Sequence, residues 1–125
     1  MAVRIVRLGT PREKIEGPRF GTVRRPPRGV RKSDFARLDY YDVWLPVLSP
    51  SAPLVKQALS GKSWQGFVRR FTSEIERGPG AHVLDTLAAL SHGANFSIGC
   101  YCEDESRCHR SVLRALLAKR GADIA

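Results

Sequence analysis

The sequence predicts an α/β protein: a small, mainly parallel sheet with helices packed around it. Three observations carry this expectation. An apolar helical stripe (Val83, Leu84, Leu87, Leu90) is followed by a short apolar run at 94–100, then by a second stripe (Val112, Leu113, Leu116, Leu117). Helix, strand, loop and helix in that order make half of a parallel α/β unit. A further apolar run opens the chain at Val3 to Leu8 and is broken by Gly9-Thr10-Pro11.

The remaining elements follow in chain order. Arg4 and Arg7 suit an edge or the end of the first strand. Residues 11–19 read as a polar connection. Arg19 to Arg25 reads as a second strand, weakened by Gly21 and stopped by Pro26-Pro27, which cannot continue a ladder. Ser33 is placed to cap a short helix. Tyr40 to Leu45 fits either a strand or an irregular aromatic segment. Ser51 and Pro53 start a helix over 54–59 that Gly61 ends. From Ser63, the residues Trp64, Phe67, Val68, Phe71 and Ile75 recur at helical spacing until Gly78-Pro79-Gly80. Trp64 and Phe71 are assigned to packing. A helix over 80–91, a buried strand over 94–100 and a last helix over 106–120 complete the chain. Repeats and linkers are missing, so residues 1–125 are expected to form one domain.

The composition is 42% apolar and 26% charged, ordinary for a globular protein. No apolar run is long enough to span a bilayer, and the first residues are too interrupted by arginine for a signal peptide. A cytoplasmic protein without membrane partners is expected. Three cysteines within nine positions are not a disulfide framework, and they read as free thiols. The net charge is +9, and residues 1–37 hold eleven cations against three carboxylates. Such a balance attracts polyanions or anionic small molecules, and arginine suits directional contacts to phosphate. The competing reading is a solvated basic face.

All three cysteines lie in Cys100-Tyr-Cys-Glu-Asp-Glu-Ser-Arg-Cys-His-Arg-Ser111, between a predicted strand and a predicted helix. Four chemistries compete there. As an anion site, the helix start offers unpaired N–H groups, with Arg107 and Arg110 adding charge-assisted bonds. As a thiol site, a cysteine near a helix start has its thiolate favoured. Yet the cysteine-phosphatase arginine, six residues after the nucleophile, is absent: Ser106 and Cys108 stand at those positions. As a metal site, Cys100, Cys102, Cys108 and His109 are four soft donors, but their spacing is unlike paired zinc knuckles. Cys100 and Cys102 would also point to opposite faces if both lay in a strand. As packing, Cys100 is a small buried residue, His109 holds the loop closed, and Glu103, Asp104 and Glu105 pair with Arg107 and Arg110 or cap the helix. Neither a metal nor a cofactor is expected.

Two stretches resemble the YeaO-like family of small proteins, the domain of unknown function 488. Arg24-Arg-Pro-Pro-Arg-Gly29 is similar to the family's strand ending in an arginine and an aromatic-Pro-Arg-Gly turn, with Pro26 where tryptophan is more frequent. Cys100 to Ser111 is similar to the broader family's loop of Cys, an acidic residue, then Cys-His-Arg-Ser. Cys102 stands where glutamate is frequent, and Glu103 follows it. The nearer small-protein branch often lacks Cys-His-Arg, so the chain mixes traits of both branches. The resemblance covers most of the chain and implies a parallel-type sheet surrounded by helices. It brings no established reaction.

Together these readings point to a phosphate-bearing or other anionic ligand at a composite site. Arg25, Arg28, Arg107, Arg110 and Ser111 are the ligand-binding candidates, and Cys108 and His109 the catalytic ones. Two alternatives stand beside it. One is nucleic-acid binding through the basic N-terminal third. The other is a thiol-dependent enzyme using Cys108 or Cys102 with His109. The composite site requires the arginine turn and the cysteine loop to meet at the C-terminal edge of the sheet, where open α/β sheets bind ligands.

Overall fold

The computed structural model describes residues 1–61 and 63–125. Strands β1 (Val3–Arg7), β2 (Arg19–Gly21), β3 (Val43–Trp44) and β4 (Phe96–Cys100) form one parallel sheet in the order β1-β4-β2-β3. Helices α1 (Ala52–Leu59), α2 (Trp64–Arg77), α3 (Gly80–Leu90) and α4 (His109–Lys119) pack around it. Short 3₁₀ turns occupy Lys32–Asp34, Pro46–Leu48 and Glu105–Arg107. The expected α/β architecture is what forms. None of the described helices is long and apolar enough to cross a membrane.

β4 is paired on both sides, and all five of its residues are buried. That explains its small and apolar composition: a strand covered on both faces has no solvent side to make polar. β1 lies at the edge, as Arg4 and Arg7 suggest. Its outer side is covered by the end of the chain, where Val3 N–H donates to Asp123 O and Ala125 N–H donates to Val3 O. Covering an edge in this way removes a template for unwanted pairing.

The main core sets Val3, Phe96 and Ile98 of the sheet against Phe67, Phe71 and Ile75 of α2, Leu84 and Leu87 of α3, and the α4 stripe. The predicted periodicity of α2 is the face that is buried. Ser63 caps it, accepting from Gly66 N–H at 3.2 Å.

Three boundaries differ from expectation. β2 stops at Gly21 and not at Arg25, because beyond it side chains take over the ladder's partners: Val23 O accepts from the Trp44 indole at 2.7 Å. Ser33 is not a cap. It lies inside a 3₁₀ turn whose preceding residue, Arg31, makes no capping bond. The last helix begins at His109 and not at Ser106. The Asp104 carboxylate accepts from Ser106 N–H at 3.0 Å and from its hydroxyl at 2.6 Å, which closes a separate turn, and Cys108 is extended before α4 starts.

Gly21 and Gly99 stand opposite each other in the β2–β4 register. A Cβ on Gly21 would lie 2.3 Å from the Tyr41 ring, and one on Gly99 2.6 Å from Leu8 Cδ2. The two glycines let Tyr41 and Leu8 rest directly on the sheet. There they form a second cluster with Val23, Cys100 and Cys108 at the strands' C-terminal edge.

The connection at 11–19 is fastened from within. Arg19, 1% exposed, pairs with Glu16, 2% exposed. Its Nη1 donates to Thr10 O at 2.8 Å and to Asp39 O at 2.7 Å. Burial pushes the Glu16 carboxyl up, but hydrogen bonding and charge from Arg19 prevail and hold it below its ordinary value. Asp42 is likewise held low. Burial opposes this, and the Arg12 hydrogen bond and the Arg19 N–H outweigh it.

For both acids the folded value lies below the unfolded one. The stabilisation is therefore present above the unfolded value and lost as pH falls through the folded one. Denaturation measured against pH is expected to show a plateau above about pH 5 and a decline below about pH 4. Glu16→Gln leaves the Arg19 charge buried without its partner and is expected to cost about 3–5 kcal/mol by denaturant titration. A loss of under about 1 kcal/mol, the range of exposed pairs, would contradict the buried pair's role.

Candidate functional site

Because every strand runs the same way, β1, β2 and β4 all end at one edge. Each end delivers part of a cleft: Arg7 and Leu8 after β1, Val23 to Arg28 after β2, and Cys100 to Cys102 after β4. The start of α4 supplies Cys108 and His109, and α1 with the first turns of α2 forms the far wall. The cleft encloses about 1460 Å³. This exceeds the roughly 300–1,000 Å³ typical of small-molecule sites, so a nucleotide-sized ligand has room.

The arginine turn and the cysteine loop meet. The Tyr101 hydroxyl donates to Arg25 O at 2.9 Å, joining the two across 76 residues of chain. Arg25, Arg28 and Arg107 line the cleft and are exposed. Arg7, Arg24 and Lys56 line it as well, and no carboxylate does, among the described residues. Of these six cations only Arg7 has an ion-pair partner among the described residues, an exposed contact with Glu103 at 3.5 Å.

The floor is built of sulfur. β4 ends at Cys100, so Cys102 lies beyond the strand, and strand alternation does not separate the two. Their Sγ atoms are 3.7 Å apart. The Sγ atoms of Cys100, Cys102 and Cys108 all lie within 4.8 Å of one another. Cys100 and Cys108 are buried, and Cys102 is exposed. Hydrogen bonds from Cys100 and Cys102 outweigh burial and hold the Cys108 thiol far below its ordinary value. Cys100 is pushed up by its contacts with Cys102 and Cys108 and by burial. For Cys102 the contact with Cys100 acts downward, but Cys108 and burial prevail, and it too is raised.

His109 and Arg110 hold this floor in place. His109 Nε2 lies 2.5 Å from Thr22 O, a carbonyl that can only accept, so the ring proton is assigned to Nε2. Its Nδ1 then faces Cys108 Sγ at 3.8 Å, and the ring stands edge-on to Phe71. Arg110 is 3% exposed. Its Nε donates to Cys108 Sγ at 3.4 Å and its Nη2 to Cys102 O at 2.6 Å. The Ser111 hydroxyl donates to Cys108 O at 2.9 Å. Arg110 and Ser111 therefore sit behind the sulfurs and outside the cleft wall, because the first turn of α4 directs them back toward the loop. The acidic residues do not pair with Arg107 or Arg110: Glu105 binds Arg114 at 2.6 Å, and Asp104 closes its own turn.

Thr22, Lys56 and Trp64 escaped the sequence reading of the site. Thr22 follows directly on the end of β2, but the sequence carries that strand on to Arg25, so no sequence signal marks it. Lys56 is a lone cation on a short helix and gives no such signal. Trp64 is stacked on Phe67 at 4.9 Å, so the packing role holds, but it is half-buried and lines the cleft as well.

A family model described as the active DUF488-N3 subclade matches residues 3–121. This chain belongs to the DUF488 family. The resemblance carried by the arginine turn and the cysteine loop is thereby shown, and both stretches lie inside the matched region. Searches of curated proteins and of solved structures found no match. In this DUF488 protein the Cys-His-Arg triplet divides its labour: Cys108 and His109 line the cleft, and Arg110 braces the loop from behind.

Arg110→Met keeps the volume and removes both bonds. Charge-assisted bonds of this kind contribute about 1.5–3 kcal/mol each, so hydrogen exchange at 101–108 is expected to quicken by at least tenfold. Exchange in α3 is expected to stay unchanged. Equal protection of the loop in variant and wild type would show that Arg110 does not hold it.

Proposed function

We propose that this protein binds a phosphate-bearing organic molecule in the cleft. One observation carries the reading: six cationic side chains and no carboxylate line it, among the described residues. Arg25 and Arg28 flank the rigid Pro26-Pro27 turn, which limits the entropy lost when they close on an anion. Arg107 approaches from the cysteine loop. The apolar wall of Val55, Trp64 and Phe67 offers a surface for the organic part of the ligand, and Trp64 offers a face on which a planar ring can stack. The phosphate would then lie between the arginines, above the sulfurs.

The test is the affinity for a nucleoside 5′-monophosphate, with inorganic phosphate as the minimal probe, by calorimetry at low salt. Each lost arginine–phosphate contact is expected to cost about tenfold or more, so Arg25→Ala with Arg28→Ala should weaken binding by about 100-fold. Unchanged affinity in the double variant rejects the reading. Nucleic-acid binding through the whole basic third is separated in the same experiment. There, affinity would grow with oligonucleotide length, fall steeply with salt, and depend little on this one pair.

A further inference from the structure

The three sulfurs, besides hydrogen bonding with one another, stand at distances that suit a shared metal ion. Tetrahedral coordination by thiolates at about 2.3 Å from zinc separates neighbouring sulfurs by about 3.8 Å. Cys100 and Cys102 stand at 3.7 Å, and the third sulfur is within 4.8 Å of both. The remaining closure to Cys108 is at most about 1 Å, and of the three only Cys102 is exposed. The surroundings are those of a ligated thiolate. Arg110 Nε contacts Cys108 Sγ at 3.4 Å, and three thiolates with a divalent ion carry one net negative charge for that guanidinium to balance. His109 stands beside the same sulfur, oriented by its bond to Thr22 O.

We propose that Cys100, Cys102 and Cys108 form a site for one soft divalent cation of the zinc class, with its fourth position turned toward the cleft. Thiolates select such ions over magnesium or calcium, which take oxygen ligands. Three protein ligands and one open position are the arrangement of zinc sites that act on a bound molecule, as opposed to purely structural ones. Binding displaces the thiol protons to solvent and involves no change of oxidation state. The site stands whether or not the cleft takes a phosphate, and the two are read separately.

The test uses the full chain with its thiols kept reduced, titrated with cobalt(II) and then with zinc. The expected result is one cobalt per chain, an intense sulfur-to-cobalt charge-transfer absorption in the near ultraviolet, and its loss on adding one equivalent of zinc. Cys102 is exposed, so Cys102→Ser is expected to fold normally by circular dichroism while losing about 100-fold or more in cobalt affinity. The Arg25→Ala, Arg28→Ala variant is expected to bind cobalt as the wild type does, even where it no longer binds phosphate. No charge-transfer band at equimolar cobalt overturns the proposal. So does an affinity that Cys102→Ser leaves unchanged, or one that the arginine variant lowers as far as Cys102→Ser does.

Discussion

The contact on which the site depends is the 2.5 Å hydrogen bond from His109 Nε2 to Thr22 O. It ties the first residue of α4 to the residue that follows β2. Thr22 in turn is fixed to β4, its N–H and hydroxyl both donating to Gly99 O at 2.9 Å. One short chain of bonds thus fixes the spacing between the arginine turn, the cysteine loop and the last helix. The Thr22 hydroxyl, 3.3 Å from the same ring nitrogen, and the apolar cluster around Leu8, Tyr41 and Cys108 reinforce it. With it, the cations gather on the same opening as the sulfurs.

The parallel sheet makes this convergence possible. Parallel strands send all their C-terminal ends to one edge, and residues distant in sequence arrive there together. The glycine pair at 21 and 99 lets the apolar cluster approach the sheet beneath the site. The buried Glu16–Arg19 pair fastens the connection between β1 and β2, so the entry to β2 is as firmly held as its exit. The basic surplus of the chain is therefore not evenly spread: Arg12 and Arg19 are consumed in internal ion pairs, while Arg24, Arg25 and Arg28 are held out on a stiff turn.

Much of this was legible in the sequence, and what was not has physical reasons. The α/β class, the edge position of β1, the buried β4 and the amphipathic face of α2 follow from periodicity and local breakers. The place of the candidate cleft was signalled by the cysteine loop standing between strand and helix. Its internal order did not. The role of Arg110 behind the sulfurs depends on where α4 starts, and the Asp104 cap moved that start three residues on, to His109. The closeness of Cys100 and Cys102 depends on the strand ending at Cys100, a one-residue matter that periodicity does not resolve. Arg19 was counted with the basic surplus, although its charge is buried, because only tertiary contact reveals its partners.

The most direct measurement of the composite cleft is a nitrogen-15 NMR titration with a nucleoside 5′-monophosphate, following the arginine side-chain Nε–H groups. Saturable shifts are expected at Arg25, Arg28 and Arg107 and at the backbone of 101–109. Arg31 and Arg37, which do not line the cleft, should stay still. Shifts spread evenly over Arg31, Arg37 and the rest of the basic third, without saturation, would contradict it.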